Sequence, residues 1–337
     1  MFNRDSAMSI EIKDPEDPSQ EHHITEMLAL DGQLLIFSTI GIFRMLTADT
    51  IDPERKNPDT RHSYEKIYSV GTSSGLVART IIQFKEMLGL TVQDTQRKEA
   101  LVARTWRCTQ LLLECEKSHY HIYKHTMDLM PKCDEILQAN KGKASIPALP
   151  KIPDLKTHAS DFFMNGKLLL IETYRFLNEF FELPFDSKNT SHFDRHRKWI
   201  GEKLGEHHPI FKLLSEDECW IRIISECSNA IRHPENGQRV EIENISLKPG
   251  NKFSGPAWKY DLSKKNLGKQ NDSIDIIHDF DVFQHNLMTF FEEILLLSIQ
   301  HVLKDSAIFT VYKKSPEHIM PNCPVMYGVT LKQPFQS

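Results

Sequence analysis

The chain has little of what marks several large classes of protein. Its 14 glycines and 17 prolines are too few for a fibrous or linker-rich chain of 337 residues. None of its six cysteines forms a Cys-x-x-Cys pair, so nothing supports a zinc ribbon or a thioredoxin-type redox site. The cysteines are scattered through segments with helical periodicity, a pattern typical of proteins whose cysteines stay reduced in the cytosol. We therefore expect a cytoplasmic protein.

The chain also lacks an excess of positive charge and a long apolar run. With 41 lysines and arginines against 46 aspartates and glutamates, the net charge is −5, and only a local basic face would attract nucleic acid. The most apolar run, LLIFSTIGIFRML at 34–46, is shorter than the roughly 20 apolar residues that span a bilayer. The first 23 residues are polar and acidic and show no secretory signal. We interpret the run as part of a buried helix and expect no membrane partner.

Motifs of nucleotide- and metal-dependent enzymes are missing too. The chain contains no G-x-x-x-x-G-K-[ST], no G-x-G-x-x-G after a strand, no G-x-S-x-G and no H-E-x-x-H. The segment GTSSG at 71–75 has no following lysine, so we interpret it as the N-terminal cap of a helix. These absences predict a protein without a cofactor.

Helical periodicity, in contrast, covers most of the chain. Apolar residues recur at i, i+3 and i+4 in several long segments, among them 94–130, 156–183, 215–233 and 274–303. Apolar and polar residues alternate mainly between about 239 and 262, where we expect a β-hairpin. The predicted fold is mostly α, a helical bundle with a small β-hairpin inserted before the last long helix.

A stretch with three prolines and no periodicity interrupts the helices. It covers residues 141–153 and predicts a linker. On this interpretation, residues 1–140 form a helical region of unknown role, residues 154–304 form a helical domain, and residues 305–337 form an extended tail.

The segment SNAIRHPENGQ at 228–238 places a histidine where a helix ends. A histidine in the last turn faces the negative end of the helix dipole, and Pro234 then stops the helix, so a structural role alone explains His233. The longer stretch 228–258, followed by a long amphipathic helix, resembles the C-terminal part of HEPN-superfamily proteins. Many members of that superfamily are metal-independent ribonucleases or toxins of defence systems, and others only bind partners.

The resemblance implies roles for individual residues. The family motif is an arginine, a polar residue, three further residues and a histidine, which fall here on Ser228, Asn229 and His233. His233 would move a proton during attack of a ribose 2′-hydroxyl on phosphate, and Asn229 would orient it. Arg222 or Arg232 would contact the phosphate, because serine carries no charge and does not replace an arginine. Arg222 lies about three turns from His233, and Arg232 points to another side of the helix.

A basic run near residues 190–204 is a second candidate. Its cations surround a tryptophan that would stack on a base while the cations contact phosphates. The alternative is a solvated helix face. The candidate nucleic-acid-binding residues are Arg195, His196, Arg197, Lys198 and Trp199.

A third candidate has metal-ligand spacing. Glu116 and His119 form the Glu-x-x-His of di-iron helix bundles, and Asp275 and His278 match its second half only approximately. Because the ligand set is incomplete, we expect these side chains to be exposed or hydrogen-bonded and the chain to hold no metal.

These observations favour an HEPN-like helical protein that is non-catalytic or weakly active. It would act through self-association as a homodimer, or by binding a protein partner or RNA. The serine at position 228 favours this function over the alternative, a metal-independent ribonuclease of defence or toxin type that uses His233.

Overall fold

A computed structural model describes residues 23–30, 32–183, 193–306 and 308–332. Two compact units make up the chain: unit 1 comprises Met1–Thr109 and Leu295–Ser337, and unit 2 comprises Gln110–Ile294. Neither unit boundary coincides with the predicted linker at 141–153. Within the described residues, no helix combines the length and the apolarity needed to cross a membrane.

The chain alternates between strands and helices rather than forming helices throughout. The first part contains β1 (Ile24–Leu30), β2 (Gln33–Ser38), β3 (Ile42–Leu46), α1 (Ala48–Ile51), β4 (Ser63–Tyr68), α2 (Gly75–Val77), a π-helical turn (Ala78–Ile82), α3 (Gln83–Thr91) and α4 (Thr95–Ala139). The middle contains α5 (Leu155–Phe181), α6 (Phe193–Leu204), α7 (Pro209–Glu216) and α8 (Glu218–Arg232). The last part contains β5 (Arg239–Glu243), β6 (Ser246–Lys248), β7 (Lys252–Ser254), β8 (Ala257–Asp261), a 3₁₀ turn (Ser263–Lys265), β9 (Ile274–Asp275), α9 (Ile276–Leu303), β10 (Phe309–Lys313), a 3₁₀ turn (Pro316–His318) and β11 (Tyr327–Leu331).

Unit 1 is built on an antiparallel sheet of strands β1 to β4, hydrogen-bonded in chain order. The prediction of a mostly α bundle is therefore wrong, and the protein is mixed α and β. The predicted helix at 34–46 is β2, a turn and β3. Ile36 and Phe37 are adjacent and both fully buried, so the alternation that marks a half-exposed strand is missing. At the turn, Ser38 Oγ donates to Gly41 O and accepts from Gly41 N.

The tail at 305–337, predicted as extended chain, contains a hairpin. Strands β10 and β11 pair antiparallel from Phe309 opposite Leu331 to Lys313 opposite Tyr327. The buried amide of Gln83 on α3 accepts the N–H groups of Met326 and Tyr327, each at 2.8 Å, and ties this hairpin to the rest of unit 1.

Helices form the body of unit 2. Helix α8 packs along α5, and Gly166 lets them approach closely, since a Cβ there would lie 3.1 Å from Ile224 Cγ2. An aromatic core joins α5 to α9 and β8: Phe162 stacks on Phe280 at 3.9 Å, and Trp258 donates its indole N–H to Asp279 at 2.7 Å. Helix α4 continues past the proline at 131, nine residues beyond the predicted helical segment 94–130.

The predicted hairpin at 239–262 is a larger β structure. Strand β8 pairs with β5 on one side and with β9 on the other. Strands β6 and β7, which lie between β5 and β8 in the sequence, form a separate smaller hairpin. The turn of that smaller hairpin has positive φ at Gly250 (79°) and Asn251 (57°), as a tight hairpin turn requires. Asn244 interrupts the strand because its side chain accepts from Ile152 N and donates to Ile152 O.

Candidate functional site

His233 lies at the end of α8, where the sequence placed it. It is the C-cap residue, and its backbone N–H donates to Asn229 O at 2.8 Å. Its ring is exposed, and among the described residues it has no side-chain hydrogen-bond partner. The geometry therefore fulfils the helix-ending role and leaves the imidazole accessible to solvent.

Four polar residues follow one face of α8 at spacings of four, three and four, which place them one above another. We call this row the α8 polar face; it consists of Arg222, Glu226, Asn229 and His233. The spacing brings Asn229 and His233 within one turn of each other. Arg222 lies eleven residues before His233, or about 16 Å along the helix axis.

Two lysines from outside α8 approach this face, and sequence reasoning missed both. The Nζ of Lys167 on α5 donates to Asn229 Oδ1 at 2.6 Å, and the Nζ of Lys265 lies 3.6 Å from Glu226 Oε2. Asn229 also donates to Glu226 Oε2 at 3.1 Å, so both ends of its amide are engaged. The sequence held a weak signal for Lys167, a lone cation within the apolar stretch of α5.

The electrostatics at Lys167 disfavour its own charge. Burial lowers the pKa of Lys167, the nearby cations Arg232 and Lys265 lower it further, and Glu226 opposes them. An ammonium group that is partly desolvated and faces other cations gains from an anion placed beside it. This region is therefore chemically suited to an anionic group.

Position 228, where the HEPN motif has a positively charged arginine, is an uncharged serine here. Ser228 is 3% exposed and belongs to the buried stripe of α8 together with Ile221 and Ile224. Arg222 is engaged away from His233: its Nη2 donates to Lys265 O at 3.1 Å, and its Nη1 lies 3.6 Å from Glu218 Oε1. Arg232 is exposed in the last turn of α8 and contributes to the positive potential at Lys167.

The basic candidate residues lie on α6 but do not form one basic surface. His196 is 3% exposed and stacks on Tyr174 at 4.2 Å, and Trp199 packs edge-on against it. Arg197 pairs with Glu218, and Lys198 lies 3.7 Å from Glu202. Only Arg195 of the five is an exposed cation without an ion-pair partner among the described residues. The arrangement does not present Trp199 amid free cations.

The two halves of the candidate metal set line one pocket of unit 2. Glu116 and His119 come from α4, Asp275 is the last residue of β9, and His278 lies in the first turn of α9. Within the described ranges, however, no three histidine, cysteine, aspartate or glutamate side chains are arranged to hold a metal ion. Asp275 instead accepts the N–H group of Ile277 at 2.8 Å.

Three histidine rings from α4 and α5 lie together. The ring of His121 stacks on His158 at 3.7 Å and lies 4.4 Å from His125. Burial lowers the pKa of His121, and both neighbouring rings lower it further, while Asp154 opposes them. The folded protein therefore disfavours the protonated form of His121.

A pocket of about 340 Å³ lies beside the β5–β8 pair, and His233 does not line it. Its charges compensate one another, because Lys259 pairs with Glu241 at 3.1 Å and Lys269 lies 3.9 Å from Asp261. The cations near the α8 polar face are therefore the better candidate for a charged ligand.

Comparisons with protein-family models, with curated proteins and with solved structures find no match to this chain. The HEPN resemblance stays a prediction from the motif and the segment that follows it.

Proposed function

We propose that unit 2 is HEPN-like and binds RNA through a phosphate at the C-terminal half of the α8 polar face, with little or no catalysis. The observation that carries the proposal is the hydrogen bond from Lys167 to Asn229, beside Arg232 and Lys265. Lys167 supplies from another helix the positive charge that Ser228 does not provide.

The balance of charges favours an anion at this place. Among the described residues that act on the charge of Lys167, the cations Arg232 and Lys265 stand against one carboxylate, Glu226. The negative end of the α8 dipole opposes an anion by roughly 0.3–1 kcal/mol, and charge-assisted hydrogen bonds contribute roughly 1.5–3 kcal/mol each. Two such bonds outweigh the dipole. A phosphate would also relieve the repulsion that lowers the pKa of Lys167.

Weak or absent catalysis follows from how His233 is held. A general acid or base acts efficiently when a hydrogen bond fixes its tautomer and orientation. His233 is exposed and has no such partner among the described residues. Asn229 is already bonded to Lys167 and Glu226, so it is not free to orient the imidazole.

The test is RNA binding by purified protein, followed by fluorescence anisotropy over a salt series. We expect Lys167→Met and Arg232→Gln to weaken binding and to reduce the salt slope by roughly 0.7 for each phosphate that the protein no longer neutralises. Lys132→Gln, at an exposed lysine of α4, is the matched control and leaves the slope unchanged. Equal affinity and slope in all four proteins would contradict the proposal.

The same samples test the ribonuclease alternative, which Lys167 also favours because it places a cation one turn from His233. RNA cleavage in EDTA that disappears in both His233→Ala and Lys167→Met would make the α8 polar face an active site. Binding without cleavage in the wild-type protein supports the non-catalytic proposal. Light scattering after size exclusion measures the mass and tests the predicted homodimer.

A further inference from the structure

A pocket of about 500 Å³ lies between α4 and the beginning of α9 in unit 2. It shares no residue with the α8 polar face, and the inference drawn from it does not depend on the proposed RNA site. Its lining combines carboxylates, imidazoles and tyrosines: Glu116, His119, Tyr120, Tyr123, Asp275, Ile277, His278 and Asp281.

The carboxylates give this pocket unbalanced negative charge. Glu116, Asp275 and Asp281 line it, and no lysine or arginine does so among the residues that the structure describes. Over the same part of the chain, none of the three has an ion-pair partner. Carboxylates that converge without a cation repel one another, and a positively charged ligand removes that repulsion.

Two tyrosines supply the second, independent feature. Tyr120 and Tyr123 are 57% and 44% exposed and lie three residues apart on α4, so they face the same side of the helix. Large aromatic side chains in a pocket wall provide faces that attract cations. Beside them, the Nε2 of His119 is buried without a hydrogen-bond partner among the described residues.

The size and the aromatic lining distinguish between kinds of cation. A metal ion needs several ligands converging at about 2 Å, and no such group exists among the described residues. A guanidinium or alkylammonium ion is larger and binds aromatic faces together with more widely spaced carboxylates. The cavity has room for such a group and its aliphatic stem.

We propose that this pocket binds an organic cation, with the guanidinium or alkylammonium charge held by Glu116 and Asp281 and its stem against Tyr120 and Tyr123. Both a free polyamine and the side chain of an arginine carry this chemistry.

Isothermal titration calorimetry at low salt tests the proposal with three probes: spermidine, N-acetyl-arginine amide and its neutral citrulline analogue. We expect roughly millimolar binding of at least one cation and none of citrulline. Tighter binding of spermidine points to a free polyamine, and tighter binding of the arginine amide points to a protein partner. Either result supports the pocket as a cation site.

Matched variants locate the binding in this pocket. Glu116→Gln, Asp281→Asn and Tyr120→Leu should each weaken binding about twofold to fivefold, while Tyr120→Phe keeps the aromatic face and the affinity. Asp128→Asn, at an exposed carboxylate of α4 outside the pocket, is the control and should have no effect. Absence of cation binding, equal binding of citrulline, or equal weakening by Asp128→Asn would overturn the proposal. Competition by micromolar Mn²⁺ would also overturn it, in favour of a metal site.

Discussion

Ser228→Arg restores the residue that the HEPN motif carries at this position, yet we expect it to destabilise unit 2 rather than activate it. The side chain of Ser228 is 3% exposed and lies on the buried stripe of α8. An arginine there must either bury its guanidinium or push α8 away from its neighbours. The cation at Lys167, which bonds the next residue of the motif, adds repulsion.

The expected magnitude follows from two costs. Burying a charge without a partner costs several kcal/mol, and overpacking a close-packed site costs typically 1–3 kcal/mol. The long aliphatic stem recovers part of this by letting the charge reach towards water. We expect a net loss of about 3–5 kcal/mol, against a total stability of roughly 5–15 kcal/mol for an ordinary domain.

Guanidinium denaturation measures this loss. With a denaturant slope of roughly 2–6 kcal/mol per molar for guanidinium, the midpoint should fall by about 1 M. Ser228→Ala is the first control and should stay within about 1 kcal/mol of wild type. Ser225→Arg, which places the same charge at a partly exposed position of α8, is the second and should have a much smaller effect. A near-wild-type midpoint for Ser228→Arg would falsify the buried placement of this residue. A gain of RNA cleavage in EDTA would show that the missing arginine was the main defect.

Three further predictions concern stability. Burial and neighbouring imidazoles lower the pKa of His121, so the unfolded chain takes up a proton on this residue at a higher pH than the folded protein does, and stability should fall as the pH drops below the ordinary pKa of about 6.5. Melting temperatures of the wild-type protein and His121→Phe, measured from pH 7.5 to 5.0, test this. Equal dependence of the two melting temperatures on pH would contradict it. Gly71→Ala should cost about 3 kcal/mol or more by denaturation, because the added Cβ would lie 2.2 Å from Ser38 O. Trp258→Phe should cost about 2–4 kcal/mol by the same assay, since the Asp279 carboxylate loses its donor, whereas a change under about 0.5 kcal/mol would show that water replaces the indole.

The error in the fold has a local physical cause. A strand with one wet face alternates apolar and polar residues, but β2 and β3 have apolar residues on both faces. Such a run resembles the sequence of a buried helix, and only the turn residues within it distinguish two strands from one helix. Those turn residues, Ser38 to Gly41, lie inside the apolar run that predicts a helix.

In the candidate site, too, the sequence predicts the contacts between neighbouring residues and does not predict the contacts between residues far apart in the chain. Helical spacing predicts that Asn229 and His233 share a face, and it also places Ser228 with Ile221 and Ile224 on the buried stripe. No periodicity predicts that Lys167, 62 residues before Asn229, donates to it.

The sequence by itself determined features that depend on neighbours along the chain. These include the helix end at His233, the cap at Ser74, and the turn at Gly250 and Asn251, because capping and turn geometry are set by a few consecutive residues. Only the tertiary structure decided which lysine stands beside the motif and that the α4 and α9 side chains share a pocket. Those contacts depend on how elements far apart in sequence pack together, and side-chain burial, charge balance and cavities are properties of that packing rather than of any segment.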